Sequence, residues 1–201
     1  AEFSLIETST SLFLYFFGES DNSPRRQTPG IYVASILGPE GRRVLVILLD
    51  TRFFRSDFRL DPRSPEERKA IGKVGKYSPN DDRSATLLGE AQWQWLGQQL
   101  KQPAELRLIV SSTQVVANEK GMDEWGAFPR ERQRLFDLID STGANGVLLL
   151  SGNVHFTEVS RYEGGRYPLY DFTASGMTHV NPPYASAPNE HRVAGPFVEH
   201  N

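Results

Sequence analysis

The sequence has no cysteine among its 201 residues. This excludes disulfide cross-links, thiolate metal sites and a cysteine nucleophile, although it leaves the compartment open. Long hydrophobic runs are also missing. The first apolar run, residues 12–17, is far shorter than the roughly 20 residues that a membrane helix needs. It follows Glu2 and Glu7 and no basic residue, so neither a membrane span nor a signal peptide is predicted.

Charge of one sign does not dominate the chain. Lys and Arg number 22 against 25 Asp and Glu, and the net charge of −3 argues against a nucleic-acid-binding surface over the whole protein. The hydrophobic share of 38% and the charged share of 23% are typical of a globular chain rather than a disordered one. The length suits one domain or a large part of a bigger one.

Several common active-site motifs are absent as well. There is no G-x-S-x-G segment, so a serine hydrolase with a nucleophile elbow is excluded. Neither G-x-G-x-x-G nor G-x-x-x-x-G-K-(S/T) occurs, which removes the common nucleotide-binding fingerprints. The chemistry must therefore be sought elsewhere.

Hydrophobic patterning predicts an α/β fold built in layers. Apolar runs at 44–49, 106–110 and 147–150 are typical of buried parallel strands. Helical patterns at 88–100 and 129–142 alternate with them, and Pro129 and Gly143 suit the start and end of the second helix. Strand and helix in alternation indicate an α/β sheet flanked by helices.

Antiparallel strands are predicted beside the parallel ones. Residues 155–163 and 166–173 flank Gly164-Gly165, a strong hairpin signal, and 31–37 and 44–49 flank a longer turn. A mixed sheet, or two stacked sheets, is expected. The whole chain, 1–201, is interpreted as a single partial domain, with a long loop excursion at 56–84 and an irregular, proline-rich tail at 181–201.

Each buried run ends abruptly in polar residues. The carboxyl ends of parallel strands meet at one edge of a sheet, so these residues are expected to converge on a crevice, although polar turns are also common there. The third run leads into Asn153 and His155, at alternate positions. An amide oxygen and an imidazole nitrogen are plausible ligands for a metal ion. The alternative is an asparagine in a turn and a hydrogen-bonded histidine.

Five segments, in order along the chain, resemble motifs of the PhoD-like alkaline phosphatases. They are L-D-T-R-x-x-R at 49–55, L-G-x-x-Q-W-x-W-L at 88–96, W at 125 with F-P-x-E-R at 128–132, S-G-N-x-H-F at 151–156 and T-A-S-G at 173–176. Together they are specific, and the L-D-T-R and S-G-N-x-H segments weigh most.

The resemblance implies a fold like that of calcineurin-like metallophosphoesterases, with mixed β-sheets flanked by helices. It implies hydrolysis of phosphate mono- or diesters at a centre of two or more metal ions, divalent or trivalent (Fe, Ca, Zn, Mn or Mg). Asn153 and His155 carry over as metal ligands. Asn153 stands where the family usually has Asp, so the site loses one negative charge. Family members are often exported, which implies a periplasmic or extracellular location.

The family supplies most of its metal ligands from Asp-rich blocks, of the G-D-N and W-D-x-H-D kind, that this sequence lacks. The chain is therefore expected to be the later part of a catalytic domain, incomplete at both ends, and to need a missing N-terminal segment or a partner chain. The alternative is a non-catalytic fragment, or one piece of a two-piece assembly. In either case, sheet edges or apolar faces are expected to be uncovered.

Three further residues are candidates for contacting the substrate or supporting its ligands. Asp50 and Arg52 follow a buried strand, and their alternative is a structural ion pair. His179, after Gly176-Met177, can approach a phosphate or can be an exposed loop histidine. Trp125 is interpreted as a packing anchor.

Overall fold

The structure is a computed structural model that describes residues 5–177 and 179–198. The helices are α1 (Ile6–Phe16), α2 (Pro65–Ala70), α3 (Gly89–Leu100), α4 (Pro129–Ser141) and α5 (Pro182–Ala185), with 3₁₀ turns at Pro24–Arg26 and Trp125–Ala127. The strands are β1 (Val33–Leu37), β2 (Val44–Leu48), β3 (Arg59–Leu60), β4 (Tyr77–Ser78), β5 (Leu106–Val110), β6 (Val147–Ser151), β7 (Thr157–Tyr162), β8 (Leu169–Ala174) and β9 (Arg192–Phe197).

A seven-stranded mixed sheet organises the chain, in the order β1-β2-β5-β6-β8-β7-β9. Strands β2, β5, β6 and β8 run parallel, and β1, β7 and β9 pair antiparallel with their neighbours. Helices α3 and α4 lie between the parallel strands in sequence, as the patterning predicts. The layered α/β fold with a mixed sheet is confirmed. Strands β3 and β4 form a separate two-stranded ribbon.

One face of the sheet carries the hydrophobic core. Alternate positions point to the same side of a strand, so Leu45 and Ile47 of β2 and Ile109 of β5 face α3 and α4. Trp93 of α3 and Leu135 of α4 meet them, and all five side chains are buried. Burying side chains of this size stabilises the fold by about 1.5–3 kcal/mol each.

The opposite face of the sheet, here called the open face, is also aliphatic. It is formed by Val44, Val46, Leu48, Leu106, Leu108, Val110, Leu148, Leu150 and Phe172, all at positions that alternate with the core residues. These side chains are partly exposed, up to 40% for Leu48 and 41% for Phe172, and they stand outside the buried core of the described chain. The expectation of an uncovered apolar face is therefore confirmed for the described residues.

The proline-rich tail is more regular than its composition predicts. Strand β9 and the short helix α5 occupy much of residues 181–198, whereas 199–201 lie outside the described residues. Strand β9 pairs with β7 at the edge of the sheet, and its register shifts between Thr157 and Ser160. An edge strand tolerates the proline that a central strand would not, which is why composition misleads here.

Residues 56–84 are mainly loop, and Asp61 links two cations within this segment. Asp61 accepts hydrogen bonds from Arg63 Nη2 and Lys73 Nζ, each at 2.7 Å. These two cations hold the pKa of the Asp61 carboxyl far below its usual range. Helix α2 begins at a capping box in which Ser64 and Glu67 bond each other's backbone. None of the helices described is long and apolar enough to cross a bilayer.

Candidate functional site

Polar loops at the carboxyl edge of the sheet meet as the sequence predicts. The Arg52 guanidinium, after β2, forms an ion pair with the Asp123 carboxylate. The Asn153 side-chain amide, after β6, donates to the backbone carbonyl of Asp123 over 3.2 Å. The hydroxyls of Thr51 and Ser112, after β2 and β5, share a hydrogen bond. Asp123 therefore connects two of the predicted site residues.

Asp50 shapes the turn that carries Arg52. Its Oδ1 accepts from the backbone N–H groups of Arg52 and Phe53, and its Oδ2 accepts from that of Ile31, all at 2.9 Å. Gln92 of α3 fixes the same turn through bonds of 2.8 Å to the backbone N–H and C=O of Asp50. The buried carboxylate is thus occupied by backbone groups, and it pairs with the backbone of Arg52 rather than with its guanidinium.

The loop after β6 adopts a backbone conformation that side chains rarely take. Asn153 has φ of 78° and His155 has φ of 60°, both in the left-handed region. The backbone N–H of His155 donates to Ser175 Oγ over 2.8 Å, and the N–H of Asn181 donates to the His155 carbonyl over 2.9 Å. Such conformations persist where the surroundings hold them, and they cluster at functional sites.

Asn153 and His155 both line a cleft of about 540 Å³, with Lys76, Tyr77, Asp123 and Tyr184 in its wall. The His155 ring packs edge-on against that of His179, with centroids 4.1 Å apart. The Nδ1 atom of His155 is buried and has no hydrogen-bond partner within residues 5–177 and 179–198. The structure therefore brings Asn153, His155 and His179 together. Asp123 links Asn153 to Arg52. Asp50 lies beneath the turn and does not line the cleft.

The side chains at this cleft are suitable metal ligands, but they are too few to hold an ion by themselves. An amide oxygen and an imidazole with an unpartnered nitrogen are suitable ligands. In the part of the chain that the structure describes, however, no group of three or more His, Asp or Glu side chains is arranged to hold a metal. A resident ion takes four or more ligands. Asn153 and His155 alone therefore make part of a coordination shell.

Asp123 and Ser175 were missed as parts of this site. Asp123 lies in an irregular polar stretch with no periodicity, and its role arises only because the loop folds back over Arg52 and Asn153. Ser175 belongs to the T-A-S-G segment, but the sequence gives no sign that its hydroxyl holds the backbone of His155.

Other motif residues build the frame of the site. The Glu131 carboxylate of α4 accepts from Leu87 N at 2.8 Å and from the Trp93 indole at 2.9 Å, which ties α4 to the start of α3. The Trp125 indole donates to Ser111 Oγ over 2.9 Å and is fully buried. Trp125 is therefore the packing anchor that the sequence predicts. Some motif residues stabilise the fold around the site, and others line the cleft.

The sequence profile of the PhoD-like phosphatases matches residues 36–189, which includes this framework and the cleft loops. The chain belongs to the PhoD-like phosphatase family. Alkaline phosphatase D of Bacillus subtilis (strain 168) is 28% identical over 120 residues, covering 54% of this chain and 18% of that relative. The matched part of this PhoD-like chain therefore spans less than a fifth of the length of that relative.

Two solved structures share the fold. That of PhoD matches with a TM-score of 0.61 and 21% identity, over 86% of this chain and 34% of its own. That of GAP50, the anchor in the inner membrane complex of Plasmodium, matches with a TM-score of 0.53 and 13% identity, over 94% of this chain and 51% of its own. The PhoD-like chain thus corresponds to about a third to a half of these structures.

Proposed function

We propose that the chain forms the later part of a metal-dependent phosphatase site, which hydrolyses phosphate mono- or diesters at a centre of two metal ions. The observation that carries the proposal is the left-handed loop that presents Asn153 and His155 to one cleft. Family membership supports phosphatase chemistry. The remaining ligands would come from a segment outside this chain or from a partner chain. Export, which the resemblance implies, is proposed with the activity.

The ions, when bound, would withdraw charge from the phosphoryl oxygens of the ester. The Asn153 amide oxygen and the His155 ring would hold them, and Ser175 would keep the His155 backbone in place. The Arg52 guanidinium, a planar donor suited to phosphate, would bind a phosphoryl oxygen, and Asp123 sets its position. His179, packed against His155, would also contact the ester.

Metal content and activity test this proposal together. Elemental mass spectrometry after gel filtration gives the metal bound per chain, and p-nitrophenyl phosphate and its bis ester report monoester and diester hydrolysis. We expect His155→Ala to lose bound metal while its circular dichroism stays unchanged. His191→Ala is the matched control, because His191 lies beside Arg132 and outside the cleft wall. Equal metal content in both variants would reject His155 as a ligand.

The open face favours a second candidate, in which the chain is one piece of a two-piece assembly. Its aliphatic side chains alternate along parallel strands, the pattern that packs a second sheet about 10 Å away. We propose that a second β-layer, from a missing segment or a partner chain, covers this face. Such a layer could also carry the absent metal ligands, or the assembly could be non-catalytic.

Self-association of the isolated chain tests the second candidate. We expect concentration-dependent association by analytical ultracentrifugation, which Leu108→Lys in the open face should suppress because it places a charge among aliphatic neighbours. Glu163→Lys is the control, since Glu163 lies exposed in the β7–β8 turn. A monodisperse wild-type monomer that unfolds cooperatively would argue that the open face needs no cover.

A further inference from the structure

A second cavity, of about 360 Å³, lies beside the cleft. Tyr77 and Gly121 belong to the walls of both, but Asn153 and His155 line only the cleft. Apolar wall is supplied by Ile71, Ala127 and Pro188. The volume falls in the lower part of the range of small-molecule pockets and exceeds what a single ion needs.

Two residues of the cavity wall, Glu124 and Asn118, each have an unpaired acceptor oxygen that is buried behind the wall surface. Glu124 is 3% exposed, and its Oε1 accepts from Gly121 N over 2.9 Å. Its Oε2 and the Oδ1 of Asn118 are both buried, and neither has a hydrogen-bond partner in the described chain. Unsatisfied buried acceptors are uncommon because each loses the hydrogen bonds that water would give it. Both side chains would gain by turning toward a donor in the cavity.

The nearby cations are engaged elsewhere. Lys73, at the rim, donates to Asp61 over 2.7 Å, and the Lys120 ammonium donates to Glu158 over 2.8 Å. Glu119 adds a further carboxylate to the wall. The wall therefore holds two carboxylates and one ammonium, and that ammonium is paired with Asp61, which is outside the lining, rather than with either of the two carboxylates.

We propose that this cavity binds the primary ammonium group of a small organic molecule, with the Glu124 and Asn118 side chains turned so that Oε2 and Oδ1 accept its N–H groups. A metal ion is a poorer occupant, because a hard cation takes about six or more oxygen ligands, and two unpaired buried side-chain oxygens are found among the described residues of this wall. An ammonium has three donors, and the apolar walls suit an alkyl chain.

The ionisation of Glu124 is consistent with this assignment. Burial raises the pKa of its carboxyl to about 7, against the lowering effect of Lys120 and of nearby backbone N–H groups. A bound ammonium would add a second positive charge beside the buried carboxylate. The assignment is independent of the metal site, since the two sets of residues line different cavities.

Saturation-transfer NMR with butylammonium tests the proposal. We expect the wild-type chain to bind butylammonium. It should bind neither butanol, which has no charge, nor tetramethylammonium, which has no N–H donor. Glu124→Gln should weaken binding about tenfold or more, since it removes the charge but keeps the shape. Glu163→Gln, outside the cavity, and His155→Ala, in the other cleft, should bind as the wild type does.

Three results would overturn the assignment. They are the absence of butylammonium binding by the wild type, equal binding by Glu124→Gln, and binding of tetramethylammonium as tight as that of butylammonium. Calcium that binds in place of butylammonium and depends on Glu124 would make the cavity a metal site and reject the amine. Asn118→Ala, expected to weaken binding as well, provides the second variant if Glu124→Gln unfolds.

Discussion

The Lys120 ammonium and the Glu158 carboxylate form an ion pair with 2.8 Å between Nζ and Oε1, and both side chains are fully buried. Gln114 accepts from the same ammonium at 2.8 Å, and Arg192 donates to Glu158 Oε2 at 2.6 Å. Burial alone would raise the pKa of Glu158, but Lys120 and the other donors hold it below its usual range. The pair fastens the loop before Trp125 to strand β7.

Breaking this pair should cost much of the stability of the chain. Lys120→Met keeps the apolar stem but leaves Glu158 buried with less compensation, and we expect a loss of about 3–5 kcal/mol in the free energy of unfolding. Urea denaturation followed by circular dichroism measures it. Lys101→Met, at an exposed position after α3, is the control and should change little. A loss below about 1 kcal/mol for Lys120→Met would contradict the prediction.

Glu131 should matter for stability because its carboxylate is buried and is not a surface charge. Glu131→Gln keeps one oxygen that can accept from Leu87 N and the Trp93 indole, but it removes the negative charge and places an NH2 donor where Oε1 now accepts from that indole. The expected loss is about 1.5–3 kcal/mol by denaturant unfolding, the range for a hydrogen bond to a charged group. Glu90→Gln is matched to it, because Glu90 pairs with Arg134 at the surface. Similar losses in both variants would show that the buried contacts carry no special weight.

Glu124 should give the chain a stability that declines as pH rises. Its carboxyl has a pKa of about 7 when folded against the ordinary 4.5, so the folded state holds the proton more tightly than the unfolded chain. The contribution is fully present below pH 4.5 and is lost as pH rises to about 7. Its upper size is about 3 kcal/mol, from the shift between the two states.

Comparison with a variant isolates this effect from other titrating groups. Thermal unfolding of the wild type and of Glu124→Gln across that pH range should show the wild type losing stability relative to the variant. Glu163→Gln should follow the wild type at every pH. Parallel curves for the wild type and Glu124→Gln would mean that the Glu124 carboxyl titrates normally.

Restoring the acidic residue of the family motif should strengthen metal binding. Asn153→Asp adds a negative charge to the cleft, and we expect the affinity for Mn²⁺ to rise about tenfold by isothermal titration calorimetry. Without metal the variant should be less stable, because the new carboxylate faces the Asp123 carbonyl that now accepts from the amide. Asn145→Asp, at an exposed position, controls for net charge. An unchanged affinity for Mn²⁺ would mean that the ion does not bind at residue 153.

The sheet and its helices follow from sequence because their signals are local. The runs that form β2, β5 and β6 are continuous aliphatic stretches, and Pro129 marks the start of α4. The pairing of Gln92 with Asp50 and of Arg52 with Asp123 joins residues far apart in the chain, so no local pattern contains it. The left-handed backbone at His155 is likewise held by Ser175 and Asn181, which lie later in the sequence.

The two faces of the central sheet should differ in how well they tolerate substitutions. Ile109 is fully buried in the core of this chain, whereas its neighbour Leu108 points away from the core and is only partly buried. A mutational survey scored on folding of the isolated chain would therefore rank Leu108 among the tolerant positions. The same survey scored on the complete assembly should reverse that rank, so disagreement between the two maps would trace the outline of whatever covers the sheet.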